Sequence, residues 1–168
     1  MAITVDVGDP KNIHPTNKQA VGQRLAQWAM GTVYGGKGET SGPLSAGHEI
    51  KGGEIVLKFT HADGLKAKGG DLRGFVVAGD DKQWKEAAAR IEGSKVIVSS
   101  TEVPHPVAAR YAWRDNPDCN LYNAAGLPAS PFRTDDWAVQ LEPAVDRNAA
   151  AGKAKAKRGK AKQSAEPK

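Results

Sequence analysis

Cysteine is nearly absent. Cys119 stands alone in 168 residues, so no intrachain disulfide can form, and the residue reads as a free structural thiol. No apolar run approaches the ~20 residues that a membrane span needs, so no membrane partner is expected. The opening Met1-Ala2-Ile3-Thr4-Val5-Asp6 lacks both the basic start and the apolar stretch of a signal peptide. His48, His61 and His105 have no metal-ligand spacing and no second Cys to join them, which argues against zinc and makes them surface or turn residues. Gly69-Gly70 and Gly79-Asp80 lack the strand–loop–helix context of a phosphate site, so they read as turns and no cofactor is expected.

Acidic charge is scarce only at one end. The net charge is +5, but seven of the 24 basic residues and one of the 19 acidic ones lie from Ala149 onward. The body before Ala149 therefore carries 17 basic against 18 acidic residues and is close to neutral. The basic character belongs to residues 149 to 168, an Ala/Lys/Gly-rich low-complexity tail expected to be disordered because it cannot bury apolar area. A lysine-rich tail gains affinity for nucleic acid by counterion release. This one has no aromatic residue for base stacking, so such binding is expected to be weak and non-specific.

What is present is a mixed α/β pattern. Ile3 to Val7 alternate and predict a strand. Thr16, with Gln19 three residues on, predicts a capped helix start. Val21, Leu25, Trp28, Ala29 and Thr32 follow the spacing of one buried helix face, and Gly35-Gly36 is expected to end it. From Ser41 the period becomes two. Ile55, Leu57 and Phe59 share one side of a strand that follows a Gly52-Gly53 hairpin turn, and Leu72–Ala78 and Val96–Val98 are further strand candidates. Trp84 to Ile91 has helix propensity, but its length and the following Gly93-Ser94 favour a strand. Val107, Ala109, Tyr111 and Trp113 alternate with polar or small residues and are expected to face a core. Short strands at this spacing suggest a sandwich.

The segment between first strand and helix carries the chemistry. Asp6-Val7-Gly8-Asp9-Pro10-Lys11-Asn12-Ile13-His14-Pro15 offers two carboxylates and one imidazole beyond the end of a strand, where open α/β sheets build sites. Imidazole suits general base and acid work because its unperturbed pKa is ~6.5, and a carboxylate holds its tautomer and stabilises the imidazolium. Pro15 keeps His14 out of helical geometry. On spacing alone, a histidine before a helix is more often a cap or surface residue. A third triad member, a serine in a Gly-rich nucleophile turn, is nowhere in the chain.

The strings Ile3–Asp9, Ile13-His14-Pro15, Asn17-Lys18-Gln19 and Gly22–Ala26 together resemble the last catalytic block of sialate O-acetylesterases, SGNH-type carbohydrate esterases. The resemblance continues through Ser41–Leu44, Gly70–Phe75, Pro106–Trp113, Asn120–Asn123 and Gly126–Asp135, so it covers nearly all of residues 1 to 137. It implies removal of O-acetyl groups from sialic acid or a related sugar by a Ser-His-Asp mechanism, in a family that is commonly extracellular or periplasmic. The family histidine maps onto His14. Its acid partner falls three or two residues earlier in such enzymes, but Lys11 and Asn12 stand there, which leaves Asp9 as first choice and Asp6 as second. The family's Gly-Gln-Ser-Asn nucleophile block and its oxyanion-hole Gly and Asn have no match, and Met1 resembles an internal family methionine.

The expectation is thus a mixed α/β chain. Residues 1 to 36 would be the terminal strand-loop-helix of an SGNH (flavodoxin-like) hydrolase domain. Residues 41 to 137 would be an antiparallel β-sandwich-like accessory domain with a returning loop, and residues 149 to 168 a disordered basic tail. The orphaned first strand would be an exposed, aggregation-prone edge. Arg73, Arg110 and Arg133 are expected to pair with carboxylates such as Asp115, Asp135 or Asp136. The leading function is an O-acetylated-sugar esterase fragment carrying His14 and Asp9, inactive alone and completed by a missing N-terminal segment. The alternative is a non-catalytic β-sandwich interaction module with a basic tail.

Overall fold

A computed structural model of the chain describes residues 1–138. Met1–Asp136 form one compact unit, which the account below concerns; the tail expected over residues 149 to 168 lies outside the described residues. One helix, α1 (Lys18–Thr32), precedes ten strands in the described residues. These are β1 (Leu44–Lys51), β2 (Glu54–Thr60), β3 (Lys66–Ala67), β4 (Phe75–Ala78), β5 (Lys85–Glu86), β6 (Ala88–Glu92), β7 (Lys95–Ser99), β8 (Ala108–Tyr111), β9 (Leu121–Tyr122) and β10 (Phe132–Arg133).

The strands form two four-stranded antiparallel sheets, ordered β1-β2-β7-β6 and β10-β8-β4-β5, and a small β3-β9 pair. Period-two patterning explains the join. Ile55, Leu57, Phe59, Val96 and Val98 of the first sheet and Phe75, Val77, Ala109, Tyr111 and Phe132 of the second belong to one buried cluster. Register places Tyr111 between Phe75 and Phe132, so three rings meet in a row, with centroids 4.6 Å and 5.9 Å apart. Trp84 to Ile91 is extended, as expected, and Gly93-Ser94 turns it back into β7. Trp113 departs from the expected core side and is 43% exposed. Ala112 between it and Tyr111 sits at φ 51°, in the left-handed region, which ends the alternation one residue early.

Three N-terminal expectations are corrected. Residues 3 to 7 are not a strand: no described strand lies beside them to accept a ladder, and the chain curls so that the Val7 N–H donates to the Thr4 carbonyl at 3.2 Å. With no strand there is no exposed strand edge. The helix cap is Asn17 rather than Thr16, its Oδ1 accepting from the Ala20 N–H at 3.2 Å.

The third correction concerns which face of α1 is used. No residue of α1 is buried. Ala20, Arg24, Gln27 and Gly31 recur at helical spacing, and this polar and small stripe holds the helix to the body. Arg24 reaches the Ile3 carbonyl at 2.9 Å, and the Gln27 amide donates to the Glu39 carbonyl. Gly31 lies so close to Thr40 that a Cβ there would stand 2.0 Å from its Cγ2. The apolar stripe is turned roughly a third of a turn away, with Val21 and Ala29 half-buried and Leu25 55% and Trp28 36% exposed.

Candidate functional site

The N-terminal segment is anchored by Asp6. Its carboxylate accepts from both guanidinium nitrogens of Arg24, at 2.5 Å (Oδ1) and 2.8 Å (Oδ2), and from the Tyr122 hydroxyl at 2.8 Å. Burial alone would raise the Asp6 pKa, but the Arg24 and Tyr122 hydrogen bonds and the guanidinium charge outweigh it and hold the carboxyl below the ordinary range. Burial, reinforced by Asp6, in turn pushes the Tyr122 hydroxyl far up, so it remains a donor. Asp6, the second choice for a triad acid, thus tethers α1 to the β body.

Tyr122 is positioned by the Asn120-Leu121-Tyr122-Asn123 string, whose two asparagines are buried and fully used. The Asn120 amide donates to the Lys68 and Asp71 carbonyls, at 3.1 Å and 2.8 Å, while its oxygen accepts from the Arg73 N–H. The Asn123 amide donates to the Ser41 and His61 carbonyls, at 2.9 Å and 3.1 Å, and its oxygen accepts from the Leu127 N–H. Each amide clips loops distant in sequence, and among the described residues no buried side-chain polar atom is left without a partner.

Around this anchor lies an open cleft of about 710 Å³ between the residue 5–10 loop, α1 and the 116–120 loop. Its lining includes Arg24, Lys68 and Arg73 as cations and Asp6 and Asp118 as anions. Arg73 donates to Asp118 at 2.7 Å, and the Lys68 ammonium sits 5.1 Å from the Tyr122 ring centroid. Cys119 also lines the cleft, half-buried, and burial raises its thiol pKa, which suits the inert role expected of it.

His14 and Asp9 lie on the same exposed loop as the cleft wall. Asp9 Oδ1 accepts from the Lys11 N–H at 2.8 Å, and the His14 N–H donates to Asn12 Oδ1 at 2.9 Å. These short Asx turns set the loop's course. Among the described residues no hydrogen bond joins the His14 ring to either aspartate. His61 pairs with Glu39 at 2.7 Å on the surface, and no group of acidic, His or Cys side chains in the described residues has a metal-binding arrangement. Arg110 makes the expected carboxylate pair, with Asp135 at 2.7 Å and 2.8 Å, and Arg133 lies 3.8 Å from the same carboxylate; Arg73 takes Asp118 instead. The tethering role of Asp6, Arg24 and Tyr122 escaped the sequence reading. The sole hint was a carboxylate, an arginine and a tyrosine, each inside a string already singled out.

The human sialate O-acetylesterase is 30% identical to this chain over 147 residues, and the mouse enzyme 29%. The chain is a homologue of sialate O-acetylesterases over part of their length. The matched region is 79% of this chain but 28% of the human enzyme and 27% of the mouse one, so the chain spans about a quarter of the relatives. No protein-family model matches. The crystal structure of a carbohydrate acetylesterase from Xanthomonas citri superposes with a TM-score of 0.78 at 45% identity, covering 81% of this chain and 32% of that one. The likeness to this carbohydrate acetylesterase thus holds in three dimensions as well as in sequence.

Proposed function

We propose that this chain is the His/Asp-bearing part of a carbohydrate O-acetylesterase. The likeness to the Xanthomonas carbohydrate acetylesterase, at 45% identity over most of this chain, carries the reading. In it, residues 1 to 36 derive from the SGNH hydrolase domain and residues 41 to 137 form a β-sandwich-like accessory domain. The substrate is an O-acetylated sugar. A serine from a segment outside this chain attacks the acetyl carbonyl, and His14 takes the Oγ proton and returns it to the departing sugar oxygen. Water then releases acetate by the same proton relay in reverse. Asp9 is the orienting acid, because Asp6 is committed to Arg24 and Tyr122. The exposed Leu25 and Trp28 of α1 support a fold completed by further protein. Asp9 and His14, each tied only to its own loop, would close on one another when that protein is in place. The comparisons do not favour the interaction-module alternative.

A chimera tests this. Residues 1–136 of this chain replace the matching stretch of the Xanthomonas acetylesterase, and acetate release is followed. The chimera is expected to hydrolyse 4-nitrophenyl acetate, with His14→Ala and Asp9→Asn each lowering kcat by about 10³-fold or more. A folded, active chimera indifferent to His14→Ala would overturn the assignment.

A further inference from the structure

A second concavity lies on the solvent face of the β10-β8-β4-β5 sheet. Its position follows from register. Phe132, Tyr111 and Phe75 form the inward row; one residue along each strand, Arg133, Arg110 and Val76 pair across, and Val76 meets Glu86 of β5. This alternate row faces away from the core. Val76 lines the sheet side of a groove of about 440 Å³, flanked by Trp84 and Trp113. That volume falls in the range of small-ligand sites, about 300–1,000 Å³.

The groove's polar groups are fixed by one another. The Arg110 guanidinium lies 4.0 Å from the Trp84 ring centroid and is held from behind by Asp135, whose carboxylate is 1% exposed. Arg114 donates to Glu86 at 2.8 Å, and Lys85 lies 3.0 Å from Glu102. Arg133 sits 5.6 Å from the Trp113 ring centroid, and that ring is nonetheless 43% exposed. Each of the three lining cations, Lys85, Arg110 and Arg114, is already paired with a carboxylate, Glu102, Asp135 and Glu86, and Arg133 beside them shares Asp135, so none is left unpaired for an anion.

A pyranose matches this chemistry. Its axial C–H face packs on an indole, and neighbouring hydroxyls can donate to a carboxylate while accepting from a guanidinium or ammonium. We propose that this groove binds a neutral pyranose unit of an oligosaccharide, stacked on Trp113 and hydrogen-bonded by the Arg114–Glu86 and Lys85–Glu102 pairs. The reading does not depend on ester hydrolysis, on His14 or on an acetyl group.

The test is calorimetric titration of the full chain with xylohexaose and with cellohexaose, which carry no acetyl ester, and with N-acetylneuraminic acid as an acidic comparator. Saturable binding of at least one neutral oligosaccharide is expected, with affinity weakened about tenfold in Trp113→Ala. Arg114→Leu, an exposed change, provides a second weakened variant should Trp113→Ala lose its native circular dichroism. Absence of binding by both neutral sugars would overturn the proposal. So would selective binding of the acidic sugar, or unchanged affinity in the folded variants. A catalytically dead chain leaves this readout unmoved, so failure here and failure of the esterase reading are separable.

Discussion

The Asp6 carboxylate commits both oxygens to the fold, accepting from Arg24 and from Tyr122. Removing its charge leaves a guanidinium only 12% exposed without its counter-charge. Asp6→Asn should therefore cost about 3 kcal/mol, measured as a lower urea midpoint, whereas Tyr122→Phe, which removes one donor, should cost about 1 kcal/mol. The sign with pH follows from the lowered Asp6 pKa. The unfolded carboxyl titrates near ~3.9, so the anchor contributes fully above that value and is lost as pH falls from there through the folded pKa. Acid titration followed by hydrogen exchange should show α1 losing protection across that window in the native chain, and the step should be absent in Asp6→Asn. Asn123 gives a second residue-scale expectation. Asn123→Ala strands two carbonyls and one N–H in a buried site and should cost about 2–4 kcal/mol in denaturant unfolding.

Among the elements, α1 separates propensity from packing. Its outward residues bury little, so Leu25→Gln or Trp28→Gln should change unfolding free energy by only about 0.5 kcal/mol while reducing self-association in light scattering. The close approaches behave oppositely. A Cβ at Gly42 would stand 1.9 Å from the Pro128 carbonyl oxygen, which is backbone and cannot swing aside, so Gly42→Ala should cost about 3 kcal/mol in thermal or urea unfolding. The helix itself was legible because spacing and Gly35-Gly36 bounded it. Its inward face was not, because apolar periodicity says only which residues seek cover, and here the described unit leaves Leu25 and Trp28 exposed. The first strand failed for a related reason: alternation at Ile3–Val7 expresses a preference that only a neighbouring strand can satisfy.

As a whole molecule, the chain spans about a quarter of the sialate O-acetylesterases it matches. On the proposed function, the purified chain alone should hydrolyse 4-nitrophenyl acetate no faster with His14 than with His14→Ala, since a general base without its nucleophile retains little of a triad's rate. The β body is held together independently of that chemistry. Two sheets share one cluster, and the clamping asparagines tie its returning loops.

The sequence alone sufficed for the β1–β2 hairpin, the strands around Phe75–Ala78, Ala88–Glu92, Lys95–Ser99 and Ala108–Tyr111, the helix at Lys18–Thr32, the isolated thiol and the kinship with sialate O-acetylesterases, but not for the short strands β3, β9 and β10. Each rests on local periodicity, composition or strings of residues that need no knowledge of neighbours. It took the tertiary structure to show that Asp6 anchors Arg24 and Tyr122, that Trp113 faces solvent, and that α1 grips the body by Arg24, Gln27 and Gly31. Those outcomes depend on which groups meet across a hundred residues of chain, as Asp6 meets Tyr122, and on a single backbone angle at Ala112. No one-dimensional pattern encodes either.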